Sequence, residues 1–175
     1  MTALMTWLTP AAGPTRDELT ATIGRLAAEL DAPRFQPHVT LLVTLGTARD
    51  AAARTLTSLV AEVPPLKLTF TTIGYDESYF RSLYLHAAPS AQFQALQEAG
   101  QRAFALGRLP PSPHHLSLLY SDLTEGHKRP IIDNLSVALP LTVCFDAVEL
   151  WGRGSRGVGS WYRAVRIPLP GAPTA

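Results

Sequence analysis

Two periods of apolar residues alternate along the chain, one typical of strands and one typical of helices. Segments in which apolar residues recur at every second position, or form a short apolar run, predict strands. These strands lie at residues 5–8, 38–44, 66–74, 80–86, 115–120, 141–151 and 161–167. Segments with apolar residues about 3.6 positions apart predict amphipathic helices. These helices lie at residues 15–30, 49–61 and 90–106, and from a cap at Asp122 or Thr124 to residue 135.

The first predicted helix has a recognisable start signal. Thr15 can accept a hydrogen bond from the backbone of the first turn, and Glu18 stands three residues later. This spacing predicts a capping box, in which each of the two side chains satisfies a backbone N–H that the helix leaves unpaired.

The order of the predicted elements is similar in the two halves of the chain. The gaps between neighbouring strands are of hairpin size, which favours antiparallel pairing. We therefore predict an α+β fold of two pseudo-symmetric lobes, whose antiparallel sheets face a central cleft and carry the helices outside. Because 175 residues are within the size of one domain, we interpret residues 1–175 as a single domain of two lobes sharing one cleft.

Two of the predicted strands share a short motif. Residues 38–42 and 115–119 both read His, apolar, hydroxyl, apolar, apolar. Since successive side chains of a strand point to opposite faces, the histidine and the hydroxyl of each copy share one face. The four polar residues of the two copies are His38, Thr40, His115 and Ser117.

The repetition of the motif is what indicates a function. A single histidine two residues before a threonine on a strand is common and indicates nothing by itself. The second copy follows after not quite half a chain length, as expected if each lobe contributes one strand to a common cleft. Two imidazoles can transfer protons there, and two hydroxyls can hold an anion. We expect His38 and His115 to be catalytic and Thr40 and Ser117 to bind a phosphate.

The doubled motif resembles that of the 2H phosphoesterase superfamily. Residues 33–40 and 115–120, extended by residues 122–124, carry the resemblance, which runs at low identity over most of the chain. Closer still, the sequence looks like the cyclic phosphodiesterases that act on ADP-ribose 1″,2″-cyclic phosphate and on nucleoside 2′,3′-cyclic phosphates. The resemblance implies that this protein hydrolyses such a small cyclic nucleotide.

The closer family also places aromatic residues around the nucleobase. By position these fall on Trp7, Phe80 and Tyr120, which the resemblance therefore implies as substrate-binding residues. Each of them is equally plausible as a core residue. The chain departs from the plant members of the family because it lacks their paired cysteines. Any disulfide-based regulation of the plant members is therefore not expected for this protein.

Opening a strained cyclic phosphodiester with water requires a base, an acid and donors for the phosphate oxygens. Since histidine has an unperturbed pKa near ~6.5, a neutral and a protonated imidazole can coexist near neutrality. No metal and no cofactor are required, because the two hydroxyls and the imidazolium can stabilise the charge. The equivalence of the two motifs leaves open which histidine is the base.

The remaining histidines and two arginines are weaker candidates. His114 points away from the motif face of its strand, His127 lies on a predicted helix surface, and His86 could reach the cleft. Arg34 or Arg81 could reach a second phosphate of the substrate, although surface positions are the simpler interpretation.

Other functions fit parts of the same pattern. The 2′-5′ RNA ligase-like branch shares both motifs and acts on RNA ends. A catalytically silent nucleotide-binding protein would also keep the scaffold, but binding alone does not require two imidazoles. A zinc site at His114 and His115 fits poorly, because adjacent strand residues diverge and no further ligand stands at suitable spacing. The glycine-rich residues 152–159 predict a hairpin loop, since no helix follows as in a P-loop.

The composition of the chain indicates which classes of partner it can bind and in which compartment it is expected. The chain is 46% hydrophobic and 17% charged, so it can bury a core. Fifteen basic against fourteen acidic residues give a net charge of +1, which provides no general surface for duplex nucleic acid. Cys144 is the only cysteine, which favours a reducing compartment. No signal-peptide pattern and no run of about 20 apolar residues is present. We expect a cytoplasmic monomer without a membrane span.

Overall fold

The computed structural model describes residues 3–107 and 114–172, which form seven strands and four α-helices. The strands are β1 (Leu4–Pro10), β2 (Val39–Leu45), β3 (Leu66–Gly74), β4 (Leu83–Ala87), β5 (His115–Leu119), β6 (Leu141–Gly152) and β7 (Tyr162–Pro168). The helices are α1 (Pro14–Glu29), α2 (Arg49–Val60), α3 (Ala91–Ala103) and α4 (Glu125–Asp133). Short 3₁₀ turns lie at Tyr79–Arg81 and Val158–Ser160.

All strand pairs are antiparallel, so the predicted α+β class with antiparallel sheets is confirmed. The long strand β6 pairs with β3 through its first half and with both β1 and β7 through its second half. Two groups of strands result, β7-β6-β1-β2 and β6-β3-β4-β5. They meet again where the two motif strands, β2 and β5, pair at Val39 and Leu116.

Apolar residues of the motif strands hold this junction in place. Val39 and Leu41 on β2 and Leu116 and Leu118 on β5 are at most 1% exposed and belong to the main hydrophobic core. Full burial of one such side chain contributes roughly 1.5–3 kcal/mol. A slip of one residue would turn these side chains to the opposite face, so the core determines which face carries the histidines and hydroxyls. Helix α1 packs against β5, and α3 packs against β2.

The start of α1 differs from the sequence prediction. The helix begins with Pro14, and the preceding Gly13 has a φ of 141°, which favours glycine. Pro14 provides the fixed backbone angle of a first helical residue, so Thr15 already lies inside the first turn. No side chain caps this end, and the predicted capping box of Thr15 and Glu18 is wrong.

The strand predicted for residues 80–86 is shorter than expected. It begins at Leu83, because Tyr79–Arg81 form a 3₁₀ turn in which the Arg81 N–H donates to the Ser78 carbonyl at 2.9 Å. Phe80 therefore lies in a turn that directly precedes β4. None of the described helices has the length and apolar character needed to cross a bilayer.

Candidate active site

His38 lies immediately before β2 and is 4% exposed. Its Nδ1 donates to the Gln36 carbonyl at 2.7 Å, because a carbonyl oxygen can only accept. In the neutral ring this bond places the proton on Nδ1 and leaves Nε2 as an acceptor. The Tyr120 hydroxyl lies 3.4 Å from Nε2. His38 thus presents an unprotonated nitrogen on the side of Tyr120.

Burial keeps His38 neutral. The pKa of its imidazole is lowered from 6.5 to about 4, chiefly because burial disfavours the charged form. The bond to the Gln36 carbonyl opposes this shift, and the charge of His115 lowers the pKa further. This electrostatic effect is consistent with the pairing of the two motif strands.

The pairing of the motif strands brings all four polar residues together. Val39 and Leu116 stand opposite each other in an antiparallel pair. Continuing this register sets His38 across from Ser117 and Thr40 across from His115, on the face away from the core. These four residues are those that the sequence motif predicts for catalysis and phosphate binding, and their roles stay predictions.

The three remaining motif side chains differ in exposure and in contacts. Ser117 is 4% exposed and donates to the Phe80 carbonyl at 3.0 Å. Thr40 is half-buried and stands opposite Trp7 in the pairing of β2 with β1. His115 is half-buried, and its ring meets the edge of Tyr84 at a centroid distance of 5.3 Å. Solvent therefore reaches His115 more easily than His38.

Aromatic rings surround His38. The Trp7 ring is stacked on the imidazole with centroids 3.6 Å apart, and Phe35 stacks on Tyr120 at 3.9 Å. Phe80 meets the Tyr120 ring edge-on at 5.3 Å. All three aromatics predicted to bind substrate, Trp7, Phe80 and Tyr120, thus lie beside the motif strands.

The three aromatic residues nevertheless differ in how exposed their side chains are. Phe80 is 39% exposed, whereas Trp7 is 2% and Tyr120 is 4% exposed. The Trp7 ring also stacks on Trp151, with centroids 4.3 Å apart, so little of its surface is accessible to a ligand. Burial raises the pKa of the Tyr120 hydroxyl, which keeps it protonated as a donor toward His38. Of these three residues, only Phe80 has the exposed ring that a nucleobase contact requires. All three assignments stay predictions.

Two residues that the sequence analysis did not single out complete the aromatic group. Trp161, at the end of the glycine-rich loop, lies 5.7 Å from Phe80 and 6.3 Å from Tyr120 between ring centroids. The exposed guanidinium of Arg153 lies over both Phe80 and Trp161, at 5.4 and 5.3 Å. An arginine and a tryptophan flanking a glycine-rich loop are a detectable signal, but their distance in sequence from the motifs conceals the contact.

The other histidines have local partners. His114 packs on the Phe93 ring at 4.1 Å, and its pKa is lowered mainly by burial. His127 is exposed and hydrogen-bonds to Thr124 at 2.8 Å. His86 pairs directly with His115 across β4 and β5, so it shares the face of the motif residues.

The two arginines proposed for a second phosphate differ in their contacts. Arg81 forms an ion pair with Asp76. Arg34 is exposed and donates to the Gly24 carbonyl at 3.4 Å. Among residues 3–107 and 114–172, no group of three or more His, Cys, Asp or Glu side chains is arranged to hold a metal ion.

Solved structures of other proteins share this fold. The structure is similar to that of LigT from E. coli, solved as a complex with 3′-AMP, at a TM-score of 0.63 and 17% identity, covering 97% of this chain and 98% of that one. It is also similar to TT0787 of Thermus thermophilus, at a TM-score of 0.58 and 15% identity, covering 97% and 98%. At these identities the likeness concerns the fold.

The fold and the doubled motif together define a 2H phosphoesterase. A sequence model of the 2′-5′ RNA ligase superfamily matches residues 10–157, and the chain belongs to this superfamily. A cyclic phosphodiesterase of Arabidopsis thaliana is 28% identical over 104 residues, which are 59% of this chain and 58% of that protein. The chain thus aligns with little more than half the length of this curated relative.

Proposed function

We propose that the protein hydrolyses cyclic phosphodiesters, either nucleoside 2′,3′-cyclic phosphates or ADP-ribose 1″,2″-cyclic phosphate, by acid–base catalysis without a metal. The single observation that carries this proposal is the state of His38. Its imidazole is buried and neutral, with Nδ1 held by the Gln36 carbonyl and Nε2 available as an acceptor. A second histidine, His115, stands on the adjacent motif strand.

These environments support different roles for the two histidines. His38, neutral at pH 7, acts as the base and takes a proton from the attacking water through Nε2. The water oxygen forms a bond to phosphorus as the bond to one ribose oxygen breaks. His115, which is less buried, donates a proton to that leaving oxygen. The products are a phosphomonoester and a free hydroxyl, and solvent returns the proton from His38 to His115.

The hydroxyls stabilise the charge on the phosphate during this step. Thr40 and Ser117 donate to the non-bridging oxygens, on which negative charge increases in the transition state. The Ser117 proton, which points to the Phe80 carbonyl, rotates toward the phosphate in the proposed complex. Tyr120 donates to His38 Nε2 over a long distance of 3.4 Å, so the attacking water can replace it.

The decisive experiment is incubation of the protein with the four nucleoside 2′,3′-cyclic phosphates and with ADP-ribose 1″,2″-cyclic phosphate in excess EDTA, followed by chromatography of the products. We expect a phosphomonoester from at least one substrate. The matched control is the His38→Ala, His115→Ala double variant, which should form none. Activity that EDTA abolishes and a divalent ion restores would contradict the metal-independent mechanism.

A second candidate is phosphodiesterase activity at an RNA end, which the name of the superfamily favours. The same chemistry would then act on the terminal cyclic phosphate of an oligoribonucleotide. A short oligoribonucleotide ending in a 2′,3′-cyclic phosphate, tested beside the mononucleotides, distinguishes the two. If every substrate binds but none is opened, the protein is a catalytically silent nucleotide-binding member of the superfamily.

A further inference from the structure

A tyrosine on β4 lies beside the second motif strand. Tyr84 stands opposite Ser117 in the pairing of β4 with β5. Directly paired residues of neighbouring strands share a face, so Tyr84 lies on the face that carries the motif residues. The rings of Tyr84 and His115 meet edge to face, with centroids 5.3 Å apart and planes inclined by 62°. Tyr84 is therefore a direct neighbour of the proposed acid.

Gly74 on β3 determines where the Tyr84 ring lies. The two residues stand opposite each other in the pairing of β3 with β4. A Cβ atom on Gly74 would lie 2.5 Å from a ring carbon of Tyr84 and 2.9 Å from its hydroxyl oxygen, which is closer than non-bonded atoms approach. The ring therefore rests directly on the Gly74 backbone, an approach that a side chain there would prevent. Because β3 and β5 lie on opposite sides of β4, the hydroxyl end of the ring points away from the motif strand.

A turn with charged residues lies over the same ring. The Arg81 guanidinium is 5.7 Å from the ring centroid of Tyr84, within the range of a cation–π contact. Arg81 forms an ion pair with Asp76, and the Asp76 N–H donates to the Arg81 carbonyl at 3.2 Å. The Asp76 carbonyl in turn accepts from Nζ of Lys128 at 2.7 Å, and Lys128 is 1% exposed on α4. The turn is thus anchored to a helix, and Tyr84 is held by contacts from two separate segments.

A neighbour that restricts the imidazole matters for His115 because an acid must reach the leaving oxygen. A general acid has to stand within hydrogen-bond distance of the atom that it protonates, and a misplacement of about 1 Å can lower a rate ~10²-fold. The imidazole of His38 is held by Trp7 and by the Gln36 carbonyl. His115 is half-buried, and a side chain on a strand can occupy more than one rotamer. The Tyr84 ring fills space beside the imidazole and so restricts its rotamers.

We propose that Tyr84 is a positioning residue, which holds the imidazole of His115 in place for proton transfer through its ring and not through its hydroxyl. The proposal rests on the proposed function, because it assigns the positioned imidazole the role of the acid. Gly74 belongs to the same arrangement, since a larger residue would push the ring out of its place. Tyr84 itself transfers no proton and does not contact the substrate.

Substitutions of Tyr84 test the proposal through the separation of kcat from KM. Tyr84→Leu removes the ring and should lower kcat about tenfold or more with KM within about twofold, because the imidazole is misplaced while the phosphate contacts remain. Tyr84→Phe keeps the ring and should retain at least about half of the wild-type kcat. Three results would each overturn the proposal: an unchanged kcat in Tyr84→Leu, a raised KM as its main effect, or an equal loss of kcat in Tyr84→Phe.

Tyr162→Leu is the matched control. The Tyr162 ring also covers a glycine of the neighbouring strand, Gly152, but Tyr162 is 45% exposed and lies on β7, at the end of the sheet order. The same substitution there should leave kcat within about twofold of the wild type. Equal losses in Tyr84→Leu and Tyr162→Leu would attribute the effect to general damage of the sheet and would contradict the positioning role.

Gly74→Ala displaces the ring without removing it, and so provides a second variant. Because the added Cβ forces the Tyr84 ring to move, kcat should fall about tenfold. When Tyr84→Leu is already present, adding Gly74→Ala should lower kcat by less than about twofold, since the ring that it displaces is gone. Losses that multiply in the double variant would show that Gly74 does not act through Tyr84.

An NMR measurement separates failure of this proposal from failure of the proposed function. Vicinal couplings between the Hα and Hβ protons report whether the His115 side chain keeps one rotamer. They should indicate one rotamer in the wild type and in Tyr84→Phe, and averaging over rotamers in Tyr84→Leu, with the couplings of His38 unchanged. This result supports the positioning role even if no cyclic phosphate is hydrolysed. Equal His115 couplings in all three proteins would overturn it whatever the catalytic activity.

Discussion

The indole of Trp7 lies almost parallel to the imidazole of His38, with ring centroids 3.6 Å apart and planes inclined by 13°. On its other side, Trp7 stacks on Trp151, whose Nε1 donates to the buried carboxylate of Glu149 at 2.9 Å. His38 is thus held by an indole and, through Nδ1, by the Gln36 carbonyl. These contacts suggest that Trp7 acts on the imidazole rather than on the substrate.

Trp7→Phe should therefore change the histidine more than the substrate affinity. The smaller ring admits water to the imidazole, so we expect the pKa of His38 to rise from about 4 toward 6.5. An NMR titration of the His38 ring measures this shift, and steady-state kinetics should show a lower kcat with little change in KM. A higher KM with unchanged kcat would instead support the predicted contact between Trp7 and the nucleobase.

Removal of either motif histidine should nearly abolish turnover. His38→Ala and His115→Ala should each lower kcat by about 10²-fold or more, because each removes a proton-transfer group. The kcat of the double variant should be little lower than that of the less active single variant, since the two groups act in one step. His127→Ala, at an exposed histidine on α4, is the control and should behave as the wild type. More than half of the activity in either single variant would refute the two-histidine assignment.

The buried His38 should make the folded protein less stable in mild acid. Its pKa is about 4 in the folded protein and near 6.5 when exposed, so between these values the unfolded chain binds a proton that the folded chain does not. Stability from this group is complete above pH ~6.5 and falls as the pH drops toward ~4, by about 3 kcal/mol in total.

Urea unfolding at several pH values between 7.5 and 4.5 measures this effect. The matched variant His38→Gln removes the titrating group, so its free energy of unfolding should fall less steeply with decreasing pH than that of the wild type. The difference between the two curves isolates His38 from all other titrating side chains. Parallel curves would show that His38 is not buried in its neutral form.

Loss of a motif hydroxyl should slow the reaction without weakening substrate binding comparably. Thr40→Val and Ser117→Ala each remove one donor to the phosphate, whose charge changes during ring opening. We expect a lower kcat, corresponding to roughly 2–4 kcal/mol of barrier. Thr57→Val, at an exposed threonine on α2, is the control. An unchanged kcat with a raised KM would mean that the hydroxyls bind the ground state only.

Phe80→Ala should have the opposite kinetic signature. Phe80 is 39% exposed at the edge of the aromatic group, so its removal should leave the fold intact. If it stacks on the base, KM should rise by an amount corresponding to roughly 1–3 kcal/mol, with kcat little affected. Thermal unfolding of the variant provides the control for stability. Unchanged kinetics with an unchanged melting temperature would remove Phe80 from the substrate-binding residues.

The fold class could be predicted from the sequence, and so could the face on which each motif strand carries its polar residues. Both depend on local regularities of the sequence. Alternation along a strand puts His38 and Thr40 on one face whatever lies elsewhere in the chain. Strand β3 was predicted with the observed bounds, Leu66–Gly74, because its alternation is regular and prolines precede it. The predicted cap of α1 failed because proline and glycine determined the helix start against a plausible Thr15 signal.

By itself, the sequence determined that two His-x-Thr/Ser strands exist and that each presents its polar pair on one face. Only the tertiary structure decided how their surroundings differ. His38 is neutral because it is buried against Trp7, and Trp161 and Arg153 reach the site because the hairpin of β6 and β7 returns them to it. Burial and contacts between distant segments depend on how the whole chain packs, whereas the direction of a side chain on a strand depends only on its neighbours.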